Sequence, residues 1–194
     1  TSGRVMQTEA DGTVAIGRSA LAALTSGAGN TAVGYQAGTA ITDAFSNTAV
    51  GYNALITNTQ GDKIVAIGDE AGKVYNPTAD YGNSVFVGYR AGYATTTARK
   101  ATVIGDLAVG VGVMTGHENT VVGHAAGYDL TSGKANTLVG VEAGANITTA
   151  NKTVFIGYQS GDAVTVTGGS NVLDGTVGIG YQALTTLTSG ESNI

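Results

Sequence analysis

Asn30-Thr31-Ala32-Val33-Gly34-Tyr35-Gln36-Ala37-Gly38 decides how the rest of the sequence is read, because variants of it recur from one end of the chain to the other. Aligned on the central glycine, the repeats are anchored at Gly17, Gly34, Gly51, Gly68, Gly88, Gly105, Gly123, Gly140, Gly157 and Gly180, spaced 17, 17, 17, 20, 17, 18, 17, 17 and 23 residues apart. A near-constant period of this size marks a solenoid, in which each repeat is one structural unit that buries its apolar side against its neighbours.

Each column of the alignment makes a physical statement. The position before the anchor is Ile16, Val33, Val50, Ile67, Val87, Ile104, Val122, Val139, Ile156 and Ile179, β-branched in every repeat. Such residues suit a strand packed on a core. Three residues after the anchor stands alanine, or serine at Ser160, so only a small side chain fits there. The anchor itself requires a backbone angle or a close approach that a β-carbon forbids. Eight residues after it a threonine recurs (Thr25, Thr42, Thr59, Thr96, Thr131, Thr148, Thr165, Thr188), often behind an apolar residue, which predicts a second, weaker strand. The unit reads as strand, glycine turn, strand, loop. At about 4.8 Å per coil, ten coils make a rod of roughly 45 to 50 Å.

The column two before the anchor bears on assembly. If the Ile/Val column points into the coil, this one points out, since neighbours on a strand face opposite ways. It contains Ala32, Ala49, Phe86, Val103, Val121, Leu138 and Phe155, and an apolar outer ladder predicts burial against a copy of the same chain. These seven residues are therefore the expected oligomer interface.

The fold class expected is all-β, a parallel β-solenoid of about ten 17-residue coils, and residues 13–194 form the array. Residues 1–12 are a lead-in segment or degenerate repeat. Insertions near 73–82 and 164–175 bulge from the rod, and Asn193-Ile194 falls where a further repeat begins, so the array is expected to be truncated within it. Insertions in solenoids map to loops on one face, often the binding face. Receptor contacts are accordingly placed at Tyr75, Asn76, Tyr81, Asn171 and Asp174.

Composition excludes several classes. With 31 glycines and one proline in 194 residues, the glycines belong to recurring turns, not to a disordered linker or a collagen triplet. There is no cysteine, hence no disulfide framework and no thiolate chemistry. The net charge is −5 and no basic run is longer than Arg99-Lys100, which argues against nucleic-acid binding. No apolar run reaches the ~18 residues of a membrane span.

At Asn30 to Ala37, and nearly so at Asn47 to Ala54, the repeats resemble those of trimeric autotransporter adhesin heads. They are still more similar to the related repeats of phage tail fibres and bacterial surface proteins. Gly82-Asn83-Ser84-Val85-Phe86-Val87-Gly88 comes nearest to the adhesin form, whose motif is Asn-Ser-Val-Ala-Ile-Gly. The resemblance runs over residues 12–194, although adhesin heads usually repeat at shorter spacing. It implies a left-handed β-roll, side by side or intertwined as a homotrimer, and a rigid structural and adhesive segment supporting host or surface receptor binding. The location implied is extracellular, on a virion tail fibre or a bacterial cell surface.

Catalytic motifs are not found. Gly178-Ile179-Gly180-Tyr181-Gln182-Ala183 fits a dinucleotide fingerprint but lies inside the repeat without a βαβ context. His117 and His124 match no ligand spacing, and the scattered carboxylates form no evident pair. No enzyme activity, metal or cofactor is expected. Five tyrosines in the column after the anchor (Tyr35, Tyr52, Tyr89, Tyr158, Tyr181) suit either sugar stacking or cover between chains. The alternative function is an ice-binding or other flat-face-binding monomeric solenoid built on the recurring threonines. A hexapeptide acyltransferase is disfavoured because its apolar residues would recur about every six.

Overall fold

The structure, a computed structural model, describes residues 11–78, 82–162 and 173–187. It contains ten three-residue strands: β1 (Val14–Ile16), β2 (Thr31–Val33), β3 (Thr48–Val50), β4 (Val65–Ile67), β5 (Val85–Val87), β6 (Thr102–Ile104), β7 (Thr120–Val122), β8 (Thr137–Val139), β9 (Val154–Ile156) and β10 (Val177–Ile179). All are parallel and pair in sequence order into one sheet, each in register with the equivalent residues of the next coil. The fold is an all-β parallel solenoid, as the repeats predict.

Each coil turns at fixed positions. The ten anchor glycines adopt φ between 128° and 140°, and for the first nine a β-carbon would lie 2.2 to 2.6 Å from the carbonyl oxygen of the next anchor. Both conformation and coil spacing therefore demand glycine there. Two and four residues after the anchor the backbone is left-handed, as at Gln36 (φ 55°) and Gly38 (φ 57°). Five residues before it the same conformation returns, as at Gly29 (φ 67°) and Ser46 (φ 58°).

A buried asparagine stitches the corner before the strand. The side-chain oxygen of Asn30 accepts from Asn47 N (3.0 Å), while its Nδ2 donates to the carbonyl of Ala44 (2.7 Å). Asn47, Asn119 and Asn136 make the same two kinds of bond in their coils. The first residue of the repeated motif thus satisfies backbone groups that the strand ladder does not reach.

Two expectations are overturned. Among the described residues each coil has one strand, not two. The threonine segment is tied between coils by hydrogen bonds, Thr25 N to Thr42 O, Thr42 N to Thr59 O and Thr131 N to Thr148 O, without forming a second strand. The inside and outside of the strand are also exchanged. Ala32, Ala49, Phe86, Val103, Val121, Leu138 and Phe155 are buried inside the coil, at 0 to 1% exposure, and cannot form a surface between chains. The strictly β-branched column lies outside, with Ile16 59%, Ile67 38% and Ile104 37% exposed.

The reason is interior volume. The inner column ranges from glycine to phenylalanine, and in several coils the residue four after the anchor compensates. Ala49 is matched by Leu55 and Gly178 by Leu184, whereas Phe86 faces Gly92, Leu138 faces Gly144 and Phe155 faces Gly161. A β-carbon on Gly92 would lie 2.2 Å from Phe86, and one on Gly161 2.6 Å from Phe155. In these coils one large side chain from either wall fills the interior; where both positions are small, as with Ala32 and Gly38 or Ala66 and Gly72, Leu21 and Ile41 or Phe86 meet the space instead.

Candidate binding surface

Outside the coil the strands present two columns. Three before the anchor stand Val14, Thr31, Thr48, Val65, Val85, Thr102, Thr120, Thr137, Val154 and Val177, and one before it stand the ten Ile/Val residues. All twenty positions are Thr, Val or Ile, and none carries a charge. Branching at the β-carbon restricts χ1 at every one of them, so the surface is stiff as well as regular. Over ten strands at about 4.8 Å the face covers several hundred Å2, at the upper end of what a monomer ordinarily leaves open. Among the described residues Thr31, Thr48, Thr102, Thr120 and Thr137 make no side-chain hydrogen bond, and they stand on the outer face of the sheet. By contrast, the hydroxyls of Thr25, Thr42 and Thr131 donate to carbonyls of the next coil and belong to the scaffold.

Beyond the anchor runs the tyrosine row. Tyr35 stacks on Tyr52 (centroids 5.3 Å apart, planes 11°) and Tyr158 on Tyr181 (5.5 Å, 8°). The Arg90 guanidinium lies 5.1 Å from the centroids of Tyr89 and of Tyr93. Two pairs of rings in this row are thus stacked coil on coil, while Tyr89 meets Arg90 of its own coil, and all five rings remain partly exposed. Arg90 and Lys73 also flank Glu70, with Arg90 Nε 2.8 Å from Oε2 and Lys73 Nζ 2.5 Å from Oε1. Hydrogen bonding to Lys73, opposed by burial and aided by Arg90, holds the Glu70 carboxyl below its ordinary value.

The expected receptor contacts fare differently. Tyr75 is fully buried, with its hydroxyl against the carbonyls of Ala98 and Gly82 and the Ser84 hydroxyl, and burial pushes its phenol up to about 12. It is a core residue and not a contact. Its apolar ring and satisfied hydroxyl fill the coil beside Phe86, at 4.8 Å between centroids. Asn76 is exposed, and its Oδ1 accepts from Thr59 N and Thr59 Oγ1. Tyr81 and Asn171 lie outside the described residues. Asp174 is half-buried and accepts from Asn151 N (2.8 Å) and Asn151 Nδ2 (3.2 Å) at the mouth of a cleft.

His124 and Asp106 sit in the row after the anchor, with Nε2 and Oδ2 3.9 Å apart and both half exposed. His117 lies on a different edge, where its Nδ1 accepts from Arg99 N (3.2 Å). Among the described residues no three His, Cys, Asp or Glu side chains converge to hold a metal ion, and no helix is long and apolar enough to cross a membrane. The dinucleotide-like stretch is β10 and its following turn.

Comparison of the chain with family models, with curated proteins and with solved structures finds no match.

Proposed function

We propose that the chain is a structural and adhesive segment of a trimeric fibre, of the phage tail fibre or bacterial surface adhesin kind, working outside the cell as a rigid rod that supports receptor binding. The observation that carries this reading is the outer face, twenty β-branched, uncharged positions repeated at the pitch of the coil. A second copy of the same chain has the same pitch, and three such faces closed around a common axis bury one another without leaving an apolar surface in water. The number three rests on the likeness of the repeats to adhesin heads. The interface proposed is Ile16, Val33, Val50, Ile67, Ile104, Val122, Val139 and their neighbours three before the anchor, in place of the inner column.

Light scattering of the full chain, wild type beside Val122→Asp and Val139→Asp, tests this. The expected mass is three times 19.2 kDa, falling to 19.2 kDa in the variants while the circular dichroism of the sheet is kept. A wild-type monomer, or a trimer indifferent to both changes, overturns the reading.

The outward threonines favour a second reading, an ice-binding monomer. Their hydroxyls, interleaved with Val and Ile on a flat lattice of fixed spacing, suit an ordered layer of water. Thermal hysteresis of a monomeric chain, abolished by Thr48→Lys and Thr120→Lys, is the result expected if this reading holds in place of the first.

A further inference from the structure

One edge of the rod gathers basic groups that are dispersed in the sequence. The residues six and five before the anchor are Arg99 and Lys100 in one coil, His117 and Glu118 in the next, then Lys134 and Ala135, then Asn151 and Lys152. Backbone bonds from Glu118 N to Arg99 O, Ala135 N to His117 O and Lys152 N to Lys134 O stack them one strand spacing apart, about 4.8 Å. Lys100 pairs with Glu118 at 3.2 Å, both well exposed. The ammonium groups of Lys134 and Lys152 make no ion pair among the described residues. They line a cleft of about 450 Å3 together with Ser132, Thr149, Asn151 and Asp174. Burial first, then the charges of Arg99, Lys134 and Lys100, opposed by Glu118, push the His117 imidazole below its ordinary value. Four cations against Glu118 and Asp174 leave two positive charges here, in a chain whose net charge is −5.

We propose that this edge binds a carboxylate-bearing polysaccharide laid along the rod, with its acidic groups at Lys134 and Lys152. The cleft has the volume of ordinary small-ligand sites. Its hydroxyls and amide match sugar hydroxyls, which both donate and accept. Two unpaired cations in adjacent coils suit a sparsely charged acidic glycan. A nucleic acid, with a phosphate at every residue, requires a longer basic track. The proposal rests on the attachment reading for where such a glycan is met, and a trimer would offer the edge three times, so that weak contacts add.

Isothermal titration of the full chain with polygalacturonate and hyaluronate, beside uncharged dextran and a single-stranded oligodeoxynucleotide, tests it. The uronate polymers are expected to bind and dextran not to. Lys134→Gln/Lys152→Gln should weaken uronate binding by about tenfold or more, and Arg18→Gln, in the row after the anchor and off this edge, should leave it unchanged. No binding of either uronate, equal binding in the double variant, or an oligonucleotide bound as tightly as the uronates overturns the proposal. Scattering mass measured on the same samples separates the two readings. A trimer blind to uronates fails the glycan proposal alone, and a monomer that binds them fails the fibre reading alone.

Discussion

At the scale of single residues the chain tolerates an unusual density of left-handed backbone. Where this falls five residues before the anchor, glycine occupies Gly12, Gly29 and Gly175, but Ala135 (φ 56°) and Lys152 (φ 55°) carry a β-carbon that costs about 1 kcal/mol or more. Ala135→Gly is expected to raise stability by about 1 kcal/mol, read as a higher midpoint in urea, because the side chain is exposed and contributes no core contact. The anchors behave oppositely. Gly34→Ala would place its β-carbon 2.4 Å from the Gly51 carbonyl at φ 135°. A loss of about 4 kcal/mol or more is expected in the same urea measurement, since neither strain nor clash is relieved without separating two coils.

At the scale of the coil, packing is an exchange of volume between two walls. Phe86→Ala is expected to cost about 3 to 5 kcal/mol by opening a cavity. Gly92→Leu alone should also destabilise, since Phe86 occupies the space. Combined, the two changes reproduce the Ala49 and Leu55 pairing of an existing coil, and the double variant is expected to recover at least half of the summed loss in a denaturant cycle. Strict additivity would show that the two walls are not coupled. Between coils, Glu70 links Lys73 and Arg90, and its carboxyl sits below the ordinary 4.5. The folded value is the lower one, so this contribution is complete above pH 4.5 and is lost as pH falls through the folded pKa. Glu70→Gln should lower the melting temperature at about pH 6, and the difference from wild type should shrink as the pH is taken below 4.5 and falls through the folded pKa.

At the scale of the whole molecule, a rod whose coils touch only neighbours has little interior. Its largest remaining apolar surface is the outer sheet face, and the fibre reading buries it by association. Melting temperature is therefore expected to rise with protein concentration in the wild type and to be flat in Val122→Asp, because only the associating chain gains stability by mass action.

The period of 17 residues, the glycine anchors and the small column after them were enough to establish a parallel solenoid, because a backbone constraint repeated in every coil leaves the same residue in every coil. Which side of the strand faces inward was not legible from strictness alone. The outer column is β-branched in every coil, whereas the inner column varies from Gly178 to Phe155 because several coils adjust their volume with a partner such as Leu184 or Gly161. That pairing was present in the sequence as a compensation between two columns, visible only once the coil shows that they meet. The cleft at Lys134 and Lys152 lay further out of reach. Its lysines are eighteen residues apart in a chain of net negative charge, and only the stacking of one coil on the next sets both on one edge beside Asp174. Local backbone demands are written residue by residue and determined the fold. The sidedness of the sheet and the basic edge depend on what meets across and between coils, and the tertiary structure alone decided them.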